Sequence, residues 1–106
     1  MKRFVLTLGA NQDLDEIDEY LAREFGNVVA EHRSEKLFQA FELIASQPNM
    51  GSSRTAWTDE EVLFWPVVGT PSLIIYRRGD PVVILRIWNS RRDPTKLEQA
   101  IREGRA

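Results

Sequence analysis

Three apolar, strand-like runs follow one another within residues 61–88, and their spacing constrains the fold more than any other feature of the chain. The runs span residues 61–68, 72–78 and 81–88. The joints between them, at 69–71 and 78–80, contain glycine and have the length of hairpin turns. Strands joined by such turns pair antiparallel, so we expect a three-stranded meander. Its middle run is almost entirely apolar, which favours a strand covered on both faces.

A short strand and two amphipathic helices are expected to precede this meander. The strand spans 2–8, and Asn11 or Asp13 can cap the helix that follows it. Apolar residues then recur every three or four positions up to Gly26, and again through a second helix over 28–46. Because the link between the two helices is very short and contains glycine, we expect an antiparallel helical hairpin.

A short helix is expected after the last strand. Asp93 can cap it, Pro94 suits its first position, and Gly104 ends it. The order strand, helix, helix, three strands and short helix predicts a single α+β domain over 1–106. In this β-α-α-β-β-β arrangement the helical hairpin packs on a small antiparallel sheet, and the first strand joins the edge of that sheet.

Composition narrows the chemistry that the chain can support. It has no cysteine, no phosphate-binding loop and a single histidine, His32, which lies among charged residues in the second helical segment. We therefore expect no disulfide, no cysteine nucleophile, no metal site and no cofactor. No apolar run approaches the ~18 residues of a membrane-spanning helix, so we expect a cytoplasmic protein with no membrane partner.

Charge is distributed unevenly along the chain. Residues 1–61 carry a balance of −6 and residues 62–106 a balance of +4, within a net charge of −2. Five arginines fall within 77–92, and they could line one end of the sheet beside Tyr76 and Trp88. Two interpretations stay open at this point: a solvated surface with scattered charges, or a basic face that meets a negatively charged partner.

Several segments, read in order, resemble one bacterial protein family. They are 13–21 in the first helix, 48–51 in the mid-chain loop, then LIIYR at 73–77, VILRIW at 83–88 and NSRRD at 89–93. In this order and spacing the chain is similar to toxins of the RelE/ParE superfamily, over nearly all of its length. The resemblance implies a toxin of a type II toxin–antitoxin system, which a cognate antitoxin neutralises in a hetero-oligomer.

Two activities occur within that superfamily. RelE-like toxins cleave mRNA on the ribosome, whereas ParE-like toxins bind DNA gyrase and trap it on cleaved DNA. The run 63–67 is apolar where the ribonucleases carry lysines, and no tyrosine or histidine follows Arg92. Only Arg92 matches a catalytic position, so proton transfer has few candidate groups. We therefore favour a ParE-like, non-enzymatic gyrase inhibitor. The alternatives are an mRNA endonuclease and an inactive member that binds only its antitoxin.

The resemblance also predicts two binding surfaces. The target-binding residues are expected to be Arg77, Arg86, Trp88, Asn89, Arg91 and Arg92. Antitoxin is expected in an exposed apolar groove between the helical hairpin and the sheet. Four aromatic residues are placed at this groove, namely Phe64, Trp65, Tyr76 and Trp88. In the last segment of the resemblance, Asn89 and Ser90 stand where the family has histidine and glycine.

Overall fold

The computed structural model describes residues 3–103. Its elements are β1 (Phe4–Leu6), α1 (Leu8–Phe25), α2 (Asn27–Ser46), β2 (Leu63–Pro66), β3 (Ser72–Arg77), β4 (Val82–Asn89), a 3-10 turn (Pro94–Lys96) and α3 (Leu97–Glu103). This order confirms the predicted α+β fold. The predicted first residue of β1, Lys2, and the predicted end of the last helix at Gly104 lie outside the described residues.

The four strands form one sheet in the order β1-β4-β3-β2. β2, β3 and β4 pair antiparallel and make the predicted meander. β1 joins the predicted edge, beside β4, but it runs parallel to β4, so the complete sheet is mixed. Parallel pairing needs a long connection between the two strands, and here the helical hairpin with β2 and β3 supplies it.

Apolar side chains on the two faces of the sheet form two separate cores. On one face the helical hairpin contributes Leu37, Phe41 and Ile44, which pack on β3 and β4. On the other face α3 contributes Leu97 and Ile101, which pack on the reverse side of the same strands. β3 therefore has buried residues on both faces, which agrees with its continuous apolar sequence.

The start of α1 differs from the sequence-based expectation. The predicted cap at Asn11 or Asp13 is wrong, because the helix begins at Leu8 and Thr7 caps it. The Thr7 hydroxyl accepts a hydrogen bond from the Ala10 backbone N–H at 3.1 Å. Gly9 and Ala10 are buried in the first turn of α1, and Ala10 belongs to the hairpin core. Asp13 is thereby one turn inside the helix and is free for another role.

The two helices form the expected hairpin. Gly26 lies between them with a φ of +95°, a left-handed conformation that glycine adopts without steric cost. α2 ends at Ser46, two residues before Pro48, as predicted.

Candidate functional site

β4 departs from regular pairing in its middle. Ile75 lies opposite Arg86 but Tyr76 lies opposite Ile84, so Leu85 is an extra residue on β4 and forms a β-bulge. A bulge changes the direction in which the next side chains point. Here it lies immediately before Arg86, at the place where β1 has ended and no longer covers the edge of β4.

Beyond the end of β1, side chains at the start of α1 form hydrogen bonds with the exposed edge of β4. The Thr7 hydroxyl donates to the Leu85 carbonyl oxygen at 2.8 Å. One carboxylate oxygen of Asp13, Oδ2, accepts the backbone N–H of Ile87 at 2.9 Å. These contacts satisfy backbone groups that an open strand edge would leave unpaired.

Arg86 and Asp13 form a buried ion pair, which we call the Asp13–Arg86 junction. Arg86 donates from Nε to Oδ2 at 2.7 Å and from Nη2 to Oδ1 at 2.8 Å. Its Nη1 donates to the Ala100 carbonyl oxygen at 3.0 Å, so the junction links α1, β4 and α3. The hydrogen bonds to Asp13 hold the pKa of Arg86 above its ordinary value. The Arg86 side chain, predicted to bind a target, is committed to contacts within the chain.

The segment after β4 has an ordered backbone and exposed side chains. The Asn89 side-chain oxygen accepts the Arg91 N–H at 2.9 Å, and the Ser90 N–H donates to the Pro71 carbonyl oxygen at 2.7 Å. The Arg92 guanidinium lies 4.5 Å from the ring centroid of Trp88. Asp93 follows as the predicted cap, and the backbone N–H of Thr95 lowers its pKa.

A cleft with a volume of about 740 Å³ separates α1 from the end of β4, and we call it the α1–β4 cleft. One wall is the face of α1 that carries Ile17, Tyr20 and Phe25. The opposite wall is the turn between β2 and β3 together with the end of β4. Arg33 of α2 lines the cleft, as do the three residues Asn89, Arg91 and Arg92.

Comparison with known proteins identifies the family. A family model described as the ParE toxin of type II toxin–antitoxin system, parDE, matches residues 4–94. The chain belongs to this ParE toxin family. It is also similar to a solved structure titled as a chromosomal ParDE TA system from P. aeruginosa. The identity is 22%, the TM-score is 0.69, and the match covers 81% of this chain and 92% of that chain, which supports the fold. No curated protein matches.

Membership confirms the predicted class: the chain is a ParE-like toxin of a type II toxin–antitoxin system. In residues 3–103 no helix is long and apolar enough to cross a membrane. No group of three or more histidine, aspartate or glutamate side chains that could hold a metal ion occurs within the same described range.

The predicted target-binding residues of this ParE-family toxin do not all come together. Asn89 and Arg91 lie exposed with Arg92 at the α1–β4 cleft. Arg77 pairs with Val83, which is six residues from Asn89 along β4, or ~20 Å at the rise of an extended strand. The expectation that the five arginines line one end of the sheet is therefore wrong, because β4 is long enough to separate them.

The aromatic residues assigned to antitoxin binding occupy different surroundings. Phe64 and Trp88 are buried under α3, and Trp88 is only 3% exposed. Tyr76 is buried on the hairpin side, and Trp65 packs against the same core but is partly exposed. The hairpin core fills the space between the helices and the sheet around Tyr76. A groove between the hairpin and the sheet does open, as the α1–β4 cleft, but none of these four aromatic residues lines it. An antitoxin role for these residues stays a prediction.

Tyr76 instead fixes the loop after α2. Its hydroxyl donates to the Pro48 carbonyl oxygen at 2.7 Å and accepts the Gly51 N–H at 3.0 Å. Burial raises the pKa of Tyr76. A Cβ on Gly51 would lie 2.5 Å from this hydroxyl, so the close approach requires glycine.

Sequence reasoning missed the helical side of the cleft. Tyr20, Phe25 and Arg33 line it, yet none of them was assigned to a site. Tyr20 and Phe25 are 51% and 61% exposed, although aromatic residues at helical spacing are usually part of a core. Whether an aromatic residue of α1 is exposed or buried depends on where the sheet lies relative to the helix, and the sequence spacing does not show this.

Proposed function

We propose that this ParE-family toxin arrests growth by binding DNA gyrase, and that Asn89, Arg91 and Arg92 contact the enzyme. The observation that supports this most strongly is the state of Arg91 and Arg92. Their backbone is held in place by hydrogen bonds, and both residues are exposed beside a cleft, with the Arg92 guanidinium over the Trp88 ring. Arginines presented in this way are typical of binding surfaces.

Of the remaining predicted contacts, Arg77 lies opposite Val83, ~20 Å from Asn89 along β4. It would therefore contact a part of the target that lies outside the cleft. Arg86 and Trp88 act indirectly: Arg86 positions β4, and the Trp88 ring supports the Arg92 guanidinium. We propose that the toxin acts in the cytoplasm, where gyrase and the chromosome are found. A cognate antitoxin forms a hetero-oligomer with it, and Trp65, half-buried at β2, is the accessible member of the proposed aromatic contact set.

Purified toxin tests this proposal directly in a gyrase supercoiling assay. Wild-type protein is expected to inhibit supercoiling, and the double variant Arg91→Ala/Arg92→Ala is expected to need roughly tenfold more protein for the same inhibition. Arg3→Ala serves as the matched control, because this exposed arginine lies at β1, far from the cleft.

The alternatives give different results. No effect of wild-type toxin on gyrase at excess would contradict the proposal. Cleaved transcripts after toxin induction would instead support a RelE-like endonuclease with Arg92 on the scissile phosphate. Overexpression without growth arrest would support a member that only binds antitoxin.

A further inference from the structure

We propose that the α1–β4 cleft binds an acidic peptide segment of the target protein, one that also carries an apolar or aromatic side chain. This deepens the proposed function and rests on it, since gyrase would supply the segment. The site extends beyond Asn89, Arg91 and Arg92 to the helical hairpin, where Arg33, Tyr20 and Phe25 become recognition residues.

The charges of the cleft favour an acidic ligand. Within residues 3–103 no carboxylate lies within 4.0 Å of the charged nitrogens of Arg33, Arg91 or Arg92. Asp13 also lines the cleft, but Arg86 neutralises it, which leaves Glu16 as the remaining acidic side chain there. Three guanidinium groups against one carboxylate give a locally positive site on a protein of net charge −2. Guanidinium groups bind carboxylates through paired hydrogen bonds.

The aromatic side of the cleft favours an additional apolar contact. Tyr20 and Phe25 meet edge to face with ring centroids 6.3 Å apart, and both are largely exposed. Ile17 lies half-buried one helical turn before Tyr20, so the three form one apolar strip along α1. The Arg23 guanidinium lies 5.9 Å from the Tyr20 ring centroid, and tyrosine and arginine are both enriched at the energetic centres of protein interfaces.

A protein segment fits this cleft better than nucleic acid does. DNA carries one negative charge per about 1.7 Å of duplex, so it would meet several acidic side chains as it passed the cleft. Glu16 lies inside the cleft, and Asp15, Asp18 and Glu19 are exposed on the same helix. A peptide with a few carboxylates can place them at the arginines and avoid these repulsive groups.

The wall opposite α1 is held in shape before any ligand binds. Between β2 and β3 the Thr70 hydroxyl donates to the Val67 carbonyl oxygen at 2.9 Å and accepts the Ser72 N–H at 3.0 Å. Gly69 provides the turn with a φ of +79°. The Ser90 N–H joins this turn to the end of β4 through Pro71. A preformed cleft loses little conformational entropy on binding.

Binding measurements with three probes test the proposal. The probes are purified gyrase, a labelled peptide of alternating glutamate and leucine, and a short DNA duplex. A glutamine–leucine peptide is the uncharged control. Arg33→Ala and Tyr20→Ala are each expected to weaken binding of gyrase and of the acidic peptide by roughly tenfold. Arg3→Ala is expected to bind like wild type, and thermal unfolding verifies that every variant is folded.

Each outcome separates this proposal from the function on which it rests. If wild-type toxin fails to bind gyrase but binds the acidic peptide through Arg33, the gyrase proposal fails. The cleft would still be a binding site for acidic peptides, but the segment would come from a protein other than gyrase. If gyrase binds wild type and Arg33→Ala equally, the cleft proposal is overturned and the gyrase proposal is retained. A preference for DNA over the acidic peptide would also overturn the cleft proposal. So would loss of antitoxin binding in Arg33→Ala while gyrase binding persists, since the occupant would then be the antitoxin.

Discussion

The Asp13–Arg86 junction and the segment from Asn89 to Arg92 contain arginines five to six residues apart on one stretch of chain, yet the two regions are organised in opposite ways. At the junction the Arg86 side chain is 15% exposed and bound to an Asp13 carboxylate that is 7% exposed. In the segment, Arg91 and Arg92 are exposed and no carboxylate of the described chain contacts them. Arg86 therefore has a structural role through its packing against α1, whereas Arg91 and Arg92 are available for the binding role that we propose.

The two regions also depend on each other. The carboxylate of Asp13 holds both the Arg86 guanidinium and the Ile87 N–H, and so fixes the course of β4 two residues before Asn89. Since Arg91 and Arg92 follow directly, the junction sets the direction in which they leave the sheet. We therefore expect substitutions in the two regions to lower the free energy of unfolding by different amounts.

The largest effect is expected for Asp13→Ala. This change leaves Arg86 buried without its counter-charge and Ile87 N–H without its acceptor, and it should lower the free energy of unfolding by about 3–5 kcal/mol. Urea-induced unfolding at neutral pH measures the loss. Asp15→Ala is the matched control, because Asp15 is an exposed aspartate on the same helix, and its effect should stay within about 0.5 kcal/mol. Equal stability of the two variants would contradict the structural role of the junction.

An intermediate effect is expected when both members of the ion pair become apolar. Asp13→Leu/Arg86→Met removes the two charges together, so neither is left buried alone. The Ile87 N–H still loses its acceptor, which should keep the double variant about 1–3 kcal/mol below wild type. A double-mutant cycle by urea unfolding should show coupling of up to about 3 kcal/mol between the two sites. Additive single effects would mean that the ion pair itself contributes little.

The sequence predicts the parts of this fold that depend on local signals. Hairpin-length joints identify the meander, and Gly26 marks the helical hairpin, because turn and cap chemistry involves neighbouring residues. The contact of Asp13 with Arg86 joins residues 73 positions apart, and no periodicity encodes it. Asp13 resembles a helix cap in sequence, but in the structure the Thr7 hydroxyl caps the helix and α1 starts at Leu8.

The candidate site is predictable to a smaller extent. Asn89, Arg91 and Arg92 are adjacent in sequence, so their grouping follows from the chain itself. Arg77 and Arg86 were expected to join them, but Arg77 lies opposite the start of β4 and the Arg86 guanidinium is bound to Asp13. Tyr20 and Arg33 join the cleft through the packing of the hairpin on the sheet, which is a tertiary property.

The smallest effect on stability is expected for the exposed arginines. Arg92→Ala removes the guanidinium above the Trp88 ring and should cost about 0.5–1 kcal/mol, the range of an exposed cation–π contact. Arg91→Ala, with no such ring contact, should stay within about 0.5 kcal/mol and serves as its control. Thermal and urea unfolding measure both variants beside Asp13→Ala. A loss for Arg91→Ala as large as that for Asp13→Ala would mean that both regions support the fold, and the division between a structural and a binding arginine would fail.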